Sequence, residues 1–282
     1  MKLRIMGTAA AEGIPAMYCN CGLCQKALAL GGKNIRTRQQ ALIDGELLVD
    51  FGPETYAHLL AAGMNMARIG HILVTHSDCD HLVADNFYSR RPGFAYAPRY
   101  DKIHVWASGA VCAKIASSVL REELEASYVL ESMEPYRTYL VGGHRVTGFP
   151  AVHMRPEDEA RIYLIEKDGA ALLYCLDTGI LRDEIFYGWF AEHGTALGAI
   201  VFDCTKGDRP QDYYIHMGME ENKEMLERLI AVGAASCDTP CICTHFSHNC
   251  RATHEELVSA AQKYGFTVAY DGFETEIRPT NA

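Results

Sequence analysis

Six consecutive residues, His76-Ser77-Asp78-Cys79-Asp80-His81, limit what this chain can fold into more than any other stretch. They follow His71-Ile72-Leu73-Val74-Thr75, an apolar run with the length and composition of a buried strand. Two imidazoles and two carboxylates therefore crowd the end of one strand, where a short segment can aim them at a common point. Without a cation to hold them, such a gathering of polar groups beside a core is unfavourable. The run predicts a metal centre with His76, Asp78, Asp80 and His81 as ligands. The competing reading, a polar loop in which Asp80 caps a helix, accounts for one residue of the four.

Three more ligand candidates stand where apolar runs stop. His153 follows Phe149-Pro150-Ala151-Val152, and Asp177 follows Leu172-Leu173-Tyr174-Cys175-Leu176 and precedes Thr178-Gly179. His245 follows Cys241-Ile242-Cys243-Thr244. Strand ends along one rim of a sheet are where side chains distant in sequence converge. Two divalent ions need several nitrogen and oxygen ligands each, and a carboxylate such as Asp177 can span both.

The rest of the chain supplies the scaffold. Lys2 to Met6 alternates as a strand, and Asp44-Gly45 between Ala41-Leu42-Ile43 and Leu47-Leu48-Val49 signals a hairpin. Helical patterns cover Glu54 to Ala62, Ala110 to Tyr128, Leu181 to His193, Glu220 to Val232 and His254 to Tyr264. Strands are expected at His104 to Trp106, Leu197 to Phe202, Cys241 to Cys243 and Thr267 to Tyr270, with a β-rich stretch from Arg137 to Cys175 turning at Lys167-Asp168-Gly169. No linker, repeat or low-complexity tract interrupts residues 1–282, so one domain is expected: an α/β fold of two packed mixed sheets with helices outside.

A formal net charge of −10 argues against a surface with general grip on polyanions, because those need a basic footprint. A stable nucleic-acid partner, tRNA included, is not expected. A small anionic substrate held by metal ions remains compatible. Met1 to Met6 does not read as a signal peptide, and no stretch approaches the ~18 apolar residues of a membrane span. Eleven cysteines without an export signal suit a reducing compartment, so the expectation is a cytoplasmic protein whose thiols fill the core or bind metal. Cys79 is expected to pack inward, and Cys112, Cys175, Cys204, Cys237, Cys241, Cys243 and Cys250 to fill the core. Arg90, Arg91 and Arg155 are either contacts for an anion or a solvated face.

The ligand pattern resembles the metallo-β-lactamase superfamily, whose signature His-x-His-x-Asp-His is followed by a lone His, a lone Asp and a final His. His76, Asp80, His81, His153, Asp177 and His245 match in order. The resemblance, which runs from residue 7 to residue 248, implies an αββα sandwich with metals at one edge of the paired sheets. Asp78 departs from it by replacing the second His. Either Asp78 is a working ligand that favours harder ions such as manganese or iron over zinc, or the site is weakened.

Cys19-Asn20-Cys21-Gly22-Leu23-Cys24 carries three thiols in a Gly-containing knuckle, and Thr244-His245-Phe246-Ser247-His248 adds an imidazole. Cys19, Cys21, Cys24 and His248 form a closed tetrahedral set suited to structural zinc. This pairing, with the opening Gly7 to Pro15, is similar to the phosphoribosyl cyclic phosphate phosphodiesterases of phosphonate breakdown. His216, in Tyr214-Ile215-His216-Met217-Gly218, stands before a predicted helix whose N-terminus can attract phosphate. By the same resemblance His216 is the general acid, oriented by Asp203 or Asp212.

The expected activity is hydrolysis of a small or cyclic phosphodiester by two ions. His76, Asp78 and His153 would hold one, Asp80, His81 and His245 the other, with Asp177 and a hydroxide shared. Asp80 would orient the nucleophile and His216 protonate the leaving alkoxide. The rivals are ester, lactone or lactam hydrolysis on the same metals and a metal-binding relative impaired by Asp78. The partner expected is a small phosphorylated molecule, not a membrane, with a homodimer as the assembly to test.

Overall fold

Strands whose two faces are both apolar must be covered on both sides, and two stacked sheets with helices outside meet that requirement. The computed structural model describes residues 1–153, 157, 159–210 and 214–280. The first sheet runs in the order β14 (Phe273–Glu276), β1 (Lys2–Gly7), β2 (Gln40–Ile43), β3 (Leu47–Val49), β4 (His71–Leu73), β5 (Ile103–Ala107) and β6 (Tyr128–Ser132). The second runs β13 (Thr267–Val268), β12 (Cys241–Thr244), β11 (Ala199–Asp203), β10 (Ala170–Cys175), β9 (Arg161–Lys167), β8 (His144–Pro150) and β7 (Thr138–Val141). Each sheet has seven strands and is mixed. Strands β3 to β6 are parallel in one and β10 to β13 in the other, with antiparallel partners beside them. The expected αββα sandwich is the observed architecture.

The period of two along each strand divides the core. Leu172 and Tyr174 of β10 join Leu3, Ile5, Val49 and Leu73 between the sheets. Leu173 and Cys175 of the same strand face α1 (Gly22–Leu30), α5 (Glu184–His193), α6 (Met219–Ala231) and α7 (His254–Ala261). Ile72 and Val74 face outward from the first sheet, toward α2 (Thr55–Ala61), α3 (Gly109–Ser118) and α4 (Arg121–Ser127). Each fully buried Leu, Ile or Val contributes about 1.5–3 kcal/mol by leaving water. At the floor of the sandwich, the β2–β3 turn carries Asp44 in the left-handed region (φ 52°), as the hairpin signal requires. Its carboxylate accepts from His144 Nε2 (2.9 Å), Lys167 Nζ (3.0 Å) and the Lys2 backbone N–H (2.7 Å), which clasps the turn of one sheet to strands of the other.

Several expectations need correction. The helix predicted over Ala110 to Tyr128 is two helices, because the chain extends at Val119 (φ −115°, ψ 140°). Ser117-Ser118-Val119 are poor helix formers, and Val119 is buried in the outer core. Strands β6 and β14, and helix α1, have no counterpart in the sequence reading. Cys79 is exposed, because Asp80 and His81 directly after it in the turn take the inward direction, and Cys237 is exposed in a turn rather than in the core. The Arg90 guanidinium donates to the carbonyls of Tyr100, Asp101 and Ser127, away from the rim. Arg155 and Asp212 lie outside the described residues. Among the described residues no helix is long and apolar enough to cross a membrane.

Candidate metal centres

Six strands deliver polar residues to one rim. Asp50 follows β3, His76 to His81 follow β4, His153 follows β8, Asp177 follows β10, Asp203 ends β11 and His245 follows β12. Three of these residues hold backbone angles that a side chain other than glycine rarely adopts: Asp50 (φ 69°), Asp177 (φ 47°) and His245 (φ 61°). Each marks the place where an extended strand has to turn sharply back over the rim. Close backbone packing fixes those turns. A Cβ on Gly52 would stand 2.2 Å from the Asp80 carbonyl oxygen, and one on Gly179 1.8 Å from that of Tyr214. Only glycine lets the β3 end lie against the ligand loop, and the Asp177 loop against the segment leading to His216. Hydrogen bonds from Phe51 N to His81 O (2.7 Å) and from Gly179 N to Val152 O (2.9 Å) secure both contacts.

The result centres on the buried carboxylate of Asp177. His81 Nε2 lies 2.6 Å, His245 Nε2 2.9 Å and His76 Nε2 3.9 Å from its Oδ2, and His153 Nε2 3.6 Å from its Oδ1. Asp80 Oδ2 is 3.1 Å from His81 Nε2. Three overlapping ligand groups emerge around Asp177: Asp80, His81 and His245; His76 and His153; and Asp203, His216 and His245; the first two share only Asp177. Asp78 is half-buried at the edge of the second group, 3.7 Å from His76 Nε2. The sequence-predicted ligands are thus brought together, with Asp78 the most peripheral.

The opposite nitrogens of these rings are held from behind. Asp50, fully buried, contacts His81 Nδ1 at 2.7 Å and accepts from the Thr75 N–H (2.8 Å) and hydroxyl (2.9 Å). Thr75 Oγ1 also reaches His76 Nδ1 at 3.0 Å, and Thr205 Oγ1 reaches His245 Nδ1 at 2.8 Å. Such partners set which nitrogen faces the metal. Asp50, Thr75 and Thr205 were missed in the sequence. For Asp50 the signal was there: an acid directly after an apolar strand, as at Asp177.

Electrostatics and unmet hydrogen bonds both fit cations at this rim. Among the described residues, His81 Nε2, His245 Nε2 and Asp177 Oδ2 are buried and, although the two nitrogens lie 2.6 and 2.9 Å from the oxygen, make no hydrogen bond of accepted geometry. Buried polar atoms are almost always satisfied, so three such atoms crowded together fit a cation. Burial, with His81 alongside, pushes the His76 imidazole well below its usual range and leaves it neutral, the form that ligates. Burial opposes ionisation of Asp177, but His245 and His81 overcome it and hold the carboxyl well below the usual range. Asp80, against the same burial penalty, is lowered to about 2 by His81.

His216 stands across the cavity. Its Nδ1 is 2.9 Å from Asp203 Oδ2 and 3.4 Å from Asp177 Oδ1. Of the two expected partners, Asp203 is in contact with it, while Asp212 lies outside the described residues. Helix α6 begins three residues later, and Glu221 from its own first turn accepts the Gly218 N–H at 3.0 Å. Asp203 positions His216. The cavity between these residues measures about 230 Å³, and among the described residues Ala10, Ala11 and Ile215 join the imidazoles, carboxylates and hydroxyls that line it.

A second centre lies behind the rim. The Sγ atoms of Cys19, Cys21 and Cys24 and a ring nitrogen of His248 fall within 4.8 Å of one another. His248 Nδ1 is 3.5 Å from Cys24 Sγ and 3.8 Å from Cys21 Sγ. The knuckle is not the loop expected from sequence: Cys21 caps α1 and Cys24 is buried in its first turn. A helix N-terminus favours thiolate. The Cys24 N–H lowers Cys21 to about 6 against a burial penalty, whereas burial raises Cys24 to about 11. Three thiols and one imidazole are the donor set of a closed zinc site.

Comparison with known proteins agrees with this geometry. Residues 46–245 match the family described as the beta-lactamase superfamily domain. Among curated proteins, coenzyme PQQ synthesis protein B of Methylobacterium nodulans is 30% identical over 164 residues, covering 53% of this chain and 52% of that protein. The chain thus spans about half the length of that relative, and 31% of the same-named protein of Methylorubrum extorquens, at 33% identity over 29% of this chain. Solved structures share the fold across nearly the whole chain. Zn(2+)-bound PqqB from Methylobacterium extorquens superposes with a TM-score of 0.73 at 19% identity, over 98% of this chain and 100% of that one. A diphosphatase from the PhnP family gives 0.70 at 19%, over 99% and 98%. The short form of human tRNase Z gives 0.62 at 16%, over 99% and 100%. With the ligand rim in place and most of its length matched, this chain belongs to the beta-lactamase superfamily.

Proposed function

We propose that this chain is a metal-dependent hydrolase of a small phosphodiester, using two divalent ions at the rim and a structural zinc at the cysteine cluster. The observation that carries the reading is the pair of ligand groups sharing only Asp177, with His216 held across the cavity. Ions bound there would lower the pKa of a coordinated water and offset charge on the phosphoryl oxygens. His76, His153 and Asp78 would hold one ion, and Asp80, His81 and His245 the other, with Asp177 common to both. The carboxylate oxygens of Asp78 favour harder ions, so manganese or iron suits that position better than an all-imidazole set would.

The remaining steps belong to the protein. Asp80, at the cavity wall, accepts a hydrogen bond from the attacking water and orients it. His216, fixed through Nδ1 by Asp203, donates a proton to the departing alkoxide from its other nitrogen. A cavity of about 230 Å³ favours a small substrate over a polynucleotide. One structural relative carries the name diphosphatase, which is consistent with phosphoryl chemistry.

The test is direct. Protein loaded with manganese or zinc is offered a chromogenic phosphodiester and a chromogenic lactam, with metal counted by elemental analysis. Turnover of the phosphodiester with about three ions per chain is expected. Turnover of the lactam alone refutes the assignment. The sequence match to coenzyme PQQ synthesis protein B supports a second reading, a metal-binding relative that serves cofactor synthesis without phosphodiester hydrolysis. Full metal occupancy with neither substrate consumed would favour it.

A further inference from the structure

The rim ligand His245 and the zinc ligand His248 are three residues apart, and one loop clasps the segment between them. Phe246 N donates to Thr8 O at 2.8 Å, and Ala10 N donates to Phe246 O at 3.0 Å. The Arg36 guanidinium, itself buried, lies 4.5 Å from the Phe246 ring centre. At the end of that loop, Glu12 Oε1 accepts the hydroxyl proton of Ser247 and sits 3.8 Å from His248 Nε2. Because His248 turns Nδ1 toward the thiols, the proton of the ligating ring belongs on Nε2, the atom that faces Glu12. Glu12, Ser247 and Asn249 also line the rim cavity together with His245.

We propose that Glu12 is a positioning residue that couples the two metal centres, holding Ser247 and His248 so that an ion at the cysteine cluster steadies His245 at the rim. The inference rests on the metal-centre reading above but not on the choice of substrate. Linkage makes the effect reciprocal: an ion bound at one centre tightens binding at the other by the same factor. The route is short, since a shift of His248 moves Ser247, and Ser247 N donates to Thr205 O at 3.3 Å. Thr205 in turn fixes the His245 ring through its hydroxyl.

Cobalt(II) alone is a suitable probe of the full chain. Thiolate-to-cobalt charge-transfer absorption reports the cysteine cluster, while the visible bands of nitrogen- and oxygen-ligated cobalt report the rim. In wild type, rim affinity is measured with the cluster filled, and compared with the Cys21→Ser variant in which it is not. Filling is expected to tighten the rim about tenfold, within the usual range of site-to-site coupling. Glu12→Ala should lose that tenfold while the thiolate band still forms. Glu12→Gln, whose amide oxygen still accepts from Ser247, should recover most of it. Ser247→Ala breaks the same link from the other side and should match Glu12→Ala, which keeps the test decisive if the latter folds poorly. Wild-type rim affinity in Glu12→Ala or in Ser247→Ala overturns the coupling. A wild type that takes up no cobalt at either centre refutes the metal-centre reading itself, a separate and visible failure.

Discussion

Asp50 does not line the rim cavity, yet its replacement by asparagine should cost the rim one of its ions. The wild-type carboxylate accepts at both oxygens, from Thr75 through Oδ1 and from His81 Nδ1–H through Oδ2. Asparagine keeps the shape and tolerates the left-handed backbone at this position (φ 69°), so backbone strain does not confound the result. It offers only one acceptor. If the amide oxygen serves Thr75, the amide N–H must face His81 Nδ1. The ring proton then moves to Nε2, the atom 2.6 Å from Asp177 Oδ2 that should ligate the ion. If the amide flips, its NH₂ opposes the Thr75 N–H and leaves a buried donor unmet, at about 1–3 kcal/mol. Loss of a ligand's supporting partner typically weakens metal binding 10–100-fold, equivalent to about 1.4–2.7 kcal/mol. Competition against a chromogenic chelator should therefore show one ion of the rim pair released at lower chelator concentration, with the cysteine-cluster ion unaffected. An Asp50→Asn protein that holds every ion as tightly as wild type would show that the His81 tautomer is not set from behind.

Other perturbations read other parts of the machinery. His216→Asn should lower kcat on a phosphodiester by about 10²–10⁴ with metal content unchanged; loss of an ion instead would make His216 a ligand, as its place beside Asp177, Asp203 and His245 also permits. Asp78→His replaces an oxygen donor by a nitrogen donor and should move the preferred metal from manganese toward zinc, read as the ratio of activities in the two metals; an unchanged ratio removes Asp78 from the coordination sphere. Asp44 is lowered to about 2 by the Lys2 N–H, Lys167 and His144, against a burial penalty. A depressed carboxyl stabilises the fold above its unfolded value of 3.8 and loses that contribution as pH falls through about 2. Denaturation of Asp44→Asn should accordingly show a deficit relative to wild type at neutral pH that shrinks between pH 4 and 2; a deficit independent of pH would place the role of Asp44 in packing alone.

The candidate ligands were legible because their chemistry is conspicuous at strand ends: His76, Asp80 and His81 in one run, and His153, Asp177 and His245 each after an apolar stretch. Asp177 was proposed as a shared carboxylate from its charge and placement, and the structure sets it within 2.6 Å of His81 Nε2 and 3.6 Å of His153 Nε2. What sequence pattern did not reveal depends on tertiary contact. Cys24 sits in a helix because Leu23 and Ala27 bury one face of that helix against the second sheet, a demand invisible in a nine-residue stretch with exposed Leu28 and Leu30. Val119 breaks a helical pattern because the core claims its side chain. The positioning of His216 by Asp203 could not be separated in sequence from the same role for Asp212.

The support for the rim is of a different kind again, since it is written in the backbone. Left-handed conformations at Asp50, Asp177 and His245 each carry a strain of order 1–3 kcal/mol, which local propensity would relax and only surrounding structure can enforce. Gly52 and Gly179 provide that enforcement by letting neighbouring loops approach to a distance no side chain allows. A ligand displaced by even one ångström at this rim would lose its common focus on Asp177. The glycines are therefore as much a condition of metal binding as the imidazoles, although neither carries a donor atom in its side chain.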